Sequence, residues 1–282
     1  MQIGAHVSTA GGLAEAPARA LALGCECCQI FSRSPRGGAA PELTVESIKQ
    51  FKQAMSDSGQ SACYIHTPYY INLASLDERI RGNSIRIIRE ELERASALGA
   101  AAVMTHLGSA KDAGETEGRR LVVGAIKDIL KGYHGAAQFL IELSAGAGAV
   151  IGDTFEEVAE IIDRSGHDEI GVCYDTQHTF ASGYDIRTAA AVRKTIDAFD
   201  KILGLKRLKL FHVNDSMVDF DTHRDRHEHI GQGKIGLPGF KALVADPRLN
   251  NCDLILETEP DGQADDIKIL KKIRDHTQKG KF

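Results

Sequence analysis

Nine side chains able to hold a metal ion stand at or just beyond the ends of short apolar runs in this chain. They are His66 in Ile65-His66-Thr67-Pro68, His106 in Met104-Thr105-His106, Glu142 in Leu140-Ile141-Glu142, Asp175 and His178 in Tyr174-Asp175-Thr176-Gln177-His178, His212 in Phe211-His212, Asp225 and His227 in Asp225-Arg226-His227, and Glu257 in Leu256-Glu257. A lone histidine or glutamate at a strand end is usually a hydrogen-bonded structural group. The set of five imidazoles and four carboxylates is different. Carboxylates gathered in one mouth repel each other and desolvate poorly, so they call for cations. At three or four donors per ion, with carboxylates able to bridge, nine donors suffice for two or three metals. Imidazole-rich donors without thiolate favour zinc, with manganese or iron able to substitute.

These donors can meet only if the chain brings several strand ends together. Eight β-rich runs fall at 2–7, 27–31, 62–66, 101–106, 138–142, 170–174, 207–212 and 253–257. Helix-period stretches lie between them. The best runs from about 77 to 98, with Ile85, Ile88, Leu92, Ala95 and Leu98 spaced by three and four. Another carries Leu121, Val122, Ala125, Ile126 and Ile129 on one face, and Gly24 and Gly99 read as helix stops. Strand–helix alternation repeated eight times predicts a parallel sheet, either closed as a barrel or open and doubly wound. Polar residues at the C-terminal ends of nearly every strand decide for the barrel, because a crevice at a switch point would draw on fewer strands. The expected fold is therefore α/β, a single TIM (β/α)8 barrel over residues 1–282, with the metal site at the C-terminal strand ends.

Composition bounds the rest. A chain of 282 residues, 43% apolar and 26% charged, excludes disorder and collagen, and no apolar run approaches the ~20 residues a bilayer requires. The start Met1-Gln2-Ile3-Gly4 carries no basic-then-apolar signal, and the bunched Cys25, Cys27 and Cys28 do not read as a secreted disulfide framework. A cytoplasmic protein is expected. Its 34 basic and 39 acidic residues give a net charge of −5, with no basic tract for nucleic acid. If the donors hold three divalent ions, the larger of the two counts, the four liganding carboxylates would nevertheless leave the mouth at about +2.

The segments Ile65-His66-Thr67-Pro68-Tyr69-Tyr70-Ile71-Asn72-Leu73, Gly171-Val172-Cys173-Tyr174-Asp175-Thr176-Gln177-His178, and Asp225-Arg226-His227 followed by Gly231-Gln232-Gly233-Lys234-Ile235-Gly236 resemble the endonuclease IV family of apurinic/apyrimidinic endonucleases. The resemblance runs from Ile3-Gly4-Ala5-His6-Val7-Ser8 to beyond Glu257. It implies a trinuclear zinc cluster in which His66 and His106 hold one ion and Glu142, the catalytic carboxylate, bridges it to a second. That second ion would take Asp175, His212 and Glu257, and the third His178, Asp225 and His227. It also implies base-excision repair of double-stranded DNA by a monomer, cutting 5′ to an abasic site to leave a 3′-hydroxyl and a 5′-deoxyribose phosphate. Arg36, Tyr69 and Tyr70 are the residues it sets against DNA, the tyrosines in the minor groove. Three departures stand out. Leu143-Ser144-Ala145-Gly146 replaces the usual Asn-Thr-Ala-Gly after the bridging glutamate, Met217 occupies a common lysine place, and the loop from Phe31 to Gly37 lacks an aromatic found in many relatives.

Other signals have plainer readings. Gly231-Gln232-Gly233-Lys234-Ile235-Gly236 fits a dinucleotide fingerprint but follows a polar loop, so a turn shaping the metal loop is expected. Two of the three clustered cysteines fall within a strand and should pack as small hydrophobes. Lys271-Lys272-Ile273-Arg274 reads as the solvated face of the last helix, and His6, His223 and His229 as supporting groups. The rival function is a xylose isomerase-like sugar isomerase or epimerase, whose metal set would need only Glu142, Asp175, His212 and Glu257. A non-catalytic metal-storing or DNA-scanning protein is the third reading.

Overall fold

In the computed structural model, which describes residues 1–278, eight parallel strands close into a barrel. They are β1 (Ile3–His6), β2 (Cys27–Ile30), β3 (Cys63–His66), β4 (Ala102–Thr105), β5 (Gln138–Glu142), β6 (Gly171–Asp175), β7 (Leu208–His212) and β10 (Asp253–Leu256). Each pairs with its neighbours in chain order, and β1 closes the ring against β10. Two further strands, β8 (Asp215–Ser216) and β9 (His227–Glu228), form a separate antiparallel ladder at the mouth. Around the barrel lie α1 (Ala16–Leu23), α2 (Val45–Asp57), α3 (Glu78–Leu98), α4 (Glu115–Leu130), α5 (Phe155–Ser165), α7 (Ala189–Ile202), α8 (Gly236–Ala245) and α9 (Gln263–Gln278). The short α6 (Thr176–Ala181) follows β6 directly.

The two faces of each strand follow from alternation. Cys27, Tyr64, Ala102, Met104, Leu140, Cys173, Leu210 and Ile255 form an inner apolar plug. Their neighbours, such as Cys28, Ile65, Val103, Ile141, Val172 and Phe211, pack outward against the helices. Because side chains repeat every two residues, the next inward position on each strand lies one layer nearer the C-terminal mouth. Stepping two residues on from Tyr64, Met104, Leu140, Cys173, Leu210 and Ile255 reaches His66, His106, Glu142, Asp175, His212 and Glu257. The same step from Cys27 reaches Gln29. Position 4 must be glycine, since a Cβ there would stand 1.9 Å from the Cys27 carbonyl oxygen of the neighbouring strand.

The expected strands all form, with ends shifted by a residue or so. His106 and Glu257 lie one residue past β4 and β10, where the ladder has already released the backbone into loops. Position 31, expected within the second strand, lies just past β2, while Asp175, expected beyond the sixth, closes β6. The long helix begins after Asp77, whose carboxylate caps the amides of Arg79 and Ile80, and stops at Gly99 in the left-handed region. The ladder β8–β9 and the six-residue α6 were not expected; both are too short to show a period. Among the described residues no helix is long and apolar enough to cross a membrane.

Candidate metal centre

Glu142 is fully buried at the axis, and four imidazole nitrogens lie within 3.5 Å of it. Its Oε2 is 2.9 Å from His66 Nε2 and 3.5 Å from His106 Nε2. Its Oε1 is 2.9 Å from His212 Nδ1 and 3.4 Å from His178 Nδ1. The two carboxylate oxygens thus look into two different groups of donors. One is His66, His106 and Glu142, and the other is Glu142, Asp175, His212 and Glu257. Glu257 Oε2 stands 3.3 Å from His212 Nδ1.

A third group gathers where α6 meets the ladder. His178 sits in the first turn of α6 because Asp175 caps that helix, accepting from the His178 amide at 2.7 Å. His227 is brought alongside by β9, paired to Ser216. The Nε2 atoms of His178 and His227 are 3.4 Å apart, and Asp225 Oδ1 lies 3.4 and 3.5 Å from them. Asp175 also leans this way, with Oδ2 3.7 Å from His227 Nε2, so it faces two groups and not only the second expected from the resemblance. Asp225 is on a loop that α6 fastens: Gln177 Nε2 donates to the Arg224 carbonyl at 2.9 Å, and the amides of Asp221 and His223 donate to Phe180 and Ala181.

The donor chemistry fits divalent cations. Backbone carbonyls hold the far nitrogens of three rings: Thr67 accepts from His66 Nδ1 at 2.6 Å, Leu143 from His178 Nδ1 at 3.1 Å, and Glu257 from His227 Nδ1 at 3.3 Å. Each ring is thereby turned so that Nε2 faces the centre, the usual orientation of a metal-binding histidine. Asn214 supports the carboxylates, donating to Asp175 Oδ2 at 2.8 Å and accepting from the Glu257 amide at 2.8 Å. Burial disfavours the protonated form of His66, His178 and His212, yet the surrounding carboxylates override it and raise all three. Burial wins at His106 and His6, which are lowered. The imidazoles hold Glu142 well below the ordinary carboxylate range despite its burial, and Asp225, though partly desolvated, falls to about 2 beside His178.

The centre opens into a cleft of about 420 Å³ reached past Tyr69, which also borders an adjoining cleft of about 400 Å³ with Tyr70. Tyr69 is 72% exposed and meets Phe31 edge-on at 5.2 Å between ring centroids. Arg36 is exposed on the loop after β2, whose two ends are tied to α3 by Arg94, donating to the carbonyls of Ser32 and Pro41. Leu143, at the first departure, is buried in the core, and its carbonyl still orients His178. Met217 is half exposed, and Lys234 pairs with Asp219 at 3.5 Å. The amides of Gly231, Ile235 and Gly236 all point at the buried Asp215 carboxylate, so the glycine-rich string is folded around a side chain rather than a phosphate. All six cysteines are buried free thiols. His229 is spent on Asp266 at 2.7 Å, His223 lies at the half-exposed rim, and His6 faces Gln29 within the mouth. Gln29, Asn214 and Gln177 escape sequence reasoning, because amides are common in loops and strands alike; the inward register of β2 was the one available signal, and it points only to Gln29.

Comparison with known proteins agrees with this geometry. Residues 17–274 match the xylose isomerase-like TIM barrel family. A probable endonuclease 4 from Geotalea daltonii is 41% identical, the alignment covering 97% of each chain. A probable endonuclease 4 from Methanoculleus marisnigri is 37% identical over 97% of this chain and 98% of its own. The crystal structure of endonuclease IV from Thermus thermophilus superposes with a TM-score of 0.88 at 32% identity, covering 98% of this chain and all of that one. The chain belongs to the endonuclease IV family, within the xylose isomerase-like TIM barrels.

Proposed function

We propose that this protein is a metal-dependent DNA repair endonuclease that hydrolyses the phosphodiester 5′ to an abasic site in double-stranded DNA, leaving a 3′-hydroxyl and a 5′-deoxyribose phosphate. The observation that carries the reading is the bridging posture of Glu142, whose two oxygens serve separate donor groups. A sugar isomerase would be complete with Glu142, Asp175, His212 and Glu257; it has no use for His66, His106, His178, Asp225 and His227. The endonuclease relatives support the same choice.

Three zinc ions suit the set, with manganese or iron as substitutes: one on His66, His106 and Glu142, a second on Glu142, Asp175, His212 and Glu257, and a third on His178, Asp225 and His227. Bound divalent ions supply a water acidified to near-neutral pKa and positive charge for a phosphate. The chain's own residues then do the positioning. Glu142 holds two donor groups in fixed relation, the backbone carbonyls keep each Nε2 turned inward, and the loop anchored on α6 carries Asp225 to the rim. Tyr69, Tyr70 and Arg36 stand on that rim to engage the duplex, the tyrosine rings filling the gap of the missing base. The reading takes residues 1–282 as one domain, working as a monomer in the cytoplasm.

The test is cleavage of a duplex bearing one abasic site, with and without chelator, alongside metal analysis. Cleavage that chelator abolishes and zinc restores, with more than one ion per chain, is expected. An ion content of one or fewer after zinc reconstitution, or no cleavage by the metal-replete protein, refutes the proposal.

A further inference from the structure

Gln29 is fully buried on β2, level with His6, its register partner on β1. Its amide makes three contacts, all to residues of the mouth. Nε2 lies 2.6 Å from Glu257 Oε1 and 2.9 Å from His6 Nδ1, and Oε1 lies 2.7 Å from His212 Nε2. Simple donor–acceptor logic fixes the direction of each bond. An ionised carboxylate only accepts, so the NH2 end of the amide must face Glu257. The oxygen end therefore faces His212, and His212 must donate from Nε2. Nδ1 is then the nitrogen left for an ion, and it faces Glu142 Oε1 and Glu257 Oε2. The same amide occupies Glu257 Oε1 and leaves Oε2 turned to the centre.

We infer that Gln29 is a positioning residue that selects Nδ1 of His212 and Oε2 of Glu257 as the donor atoms for the ion shared with Asp175. The assignment rests on the metal-centre reading above and adds to it a strand that supplies no ligand. It also explains a reversal within the site. His66, His178 and His227 have a backbone carbonyl on Nδ1 and present Nε2, whereas His212 presents Nδ1 because a side-chain oxygen has taken Nε2. Replacing the amide by an apolar side chain of the same length would strand a buried N–H on His212 and take from Glu257 Oε1 its amide donor. The ring and the carboxylate would then both be free to turn, and losses of outer partners of this kind typically weaken metal binding by about 10–100-fold.

Two measurements on the full-length protein test this. In zinc-loaded wild type with 15N-labelled histidine, two-bond ring correlations should show one liganding histidine protonated on Nε2 and metal-bound through Nδ1. A set of liganding rings all bound through Nε2 overturns the assignment. Chelator competition should then show that Gln29→Met releases one ion about 10–100-fold more readily while the others keep wild-type affinity. Wild-type affinity for every ion in Gln29→Met, or equal loss of all of them in a folded variant, also overturns it. A wild type that takes up no more than one ion defeats the metal centre itself, an outcome distinguishable from failure of Gln29 alone.

Discussion

Truncating Tyr69 to alanine should cost recognition of a missing base while leaving the metal centre intact. In the free protein the ring is mostly solvent-exposed, and its contacts are an edge of Phe31 at 5.2 Å and the His66 ring at 6.1 Å between centroids. An aromatic pair is worth roughly 0.5–1.5 kcal/mol beyond burial, so the folded state loses little. Against DNA the same ring has a face to offer, and stacking on a base is worth about 1–3 kcal/mol. At 1.4 kcal/mol per decade, that predicts a fall of roughly one to two decades in kcat/KM on abasic DNA. Undamaged duplex, held through its phosphates, should compete for the enzyme with a nearly unchanged inhibition constant. The assay is steady-state cleavage of a single-site abasic duplex, with its undamaged twin as competitor, at one salt concentration. Metal content and Tm are measured in parallel. Equal losses on both duplexes would show that Tyr69 only packs the rim.

Three further outcomes follow from other parts of the molecule. Glu142→Gln should fold, yet lose about a hundredfold or more of its cleavage and bind metal more weakly, since the charge joining two donor groups is gone; near-parental activity in a metal-replete variant refutes the bridge. Glu26 accepts from the Ile3 amide and from Arg274 while pairing with Lys271, and these contacts overcome its partial burial to lower its pKa. A depressed carboxylate stabilises the fold above its unfolded value, near 4.5, and that contribution disappears as pH falls through the folded value. Glu26→Gln should thus cost about 1 kcal/mol, discounted for exposure, or roughly 2–4 °C in Tm at neutral pH, with the gap to wild type closing under acid; a gap that is constant with pH refutes the linkage. Burial pushes the Cys25 and Cys173 thiols up to about 12 and Cys252 to about 11, so a thiol-titrating disulfide should label none of them in the native protein and all of them after unfolding.

Much of the barrel is written in the chain, because alternation and helical period are local signals repeated eight times over. Leu98-Gly99 ends α3 as expected, since only a left-handed residue turns the chain there without strain. The convergence of His66, His106, Glu142, His212 and Glu257 could be foreseen for the same reason: each stands two residues beyond an inward-facing apolar neighbour. Asp225 and His227 were harder to place physically, as a loop and a two-residue ladder have no period to read. Their position depends on α6, whose six residues are all buried and whose backbone carbonyls catch the loop.

What remained hidden is how the donors are oriented. A sequence says that His212 lies at a strand end, but not which of its nitrogens faces inward. That choice is made across the barrel, by Gln29 on a strand separated from His212 by 183 positions in the chain. Backbone carbonyls at Thr67, Leu143 and Glu257 settle three other rings, and a carbonyl carries no trace of its partner in residue type. Leu143 itself stands next to the central glutamate. The bond to His178 comes from the main chain at that position, so the side chain is free to join the core. The chemistry of the mouth is thus specified twice, by residue types that a sequence displays and by backbone geometry that only the closed barrel creates.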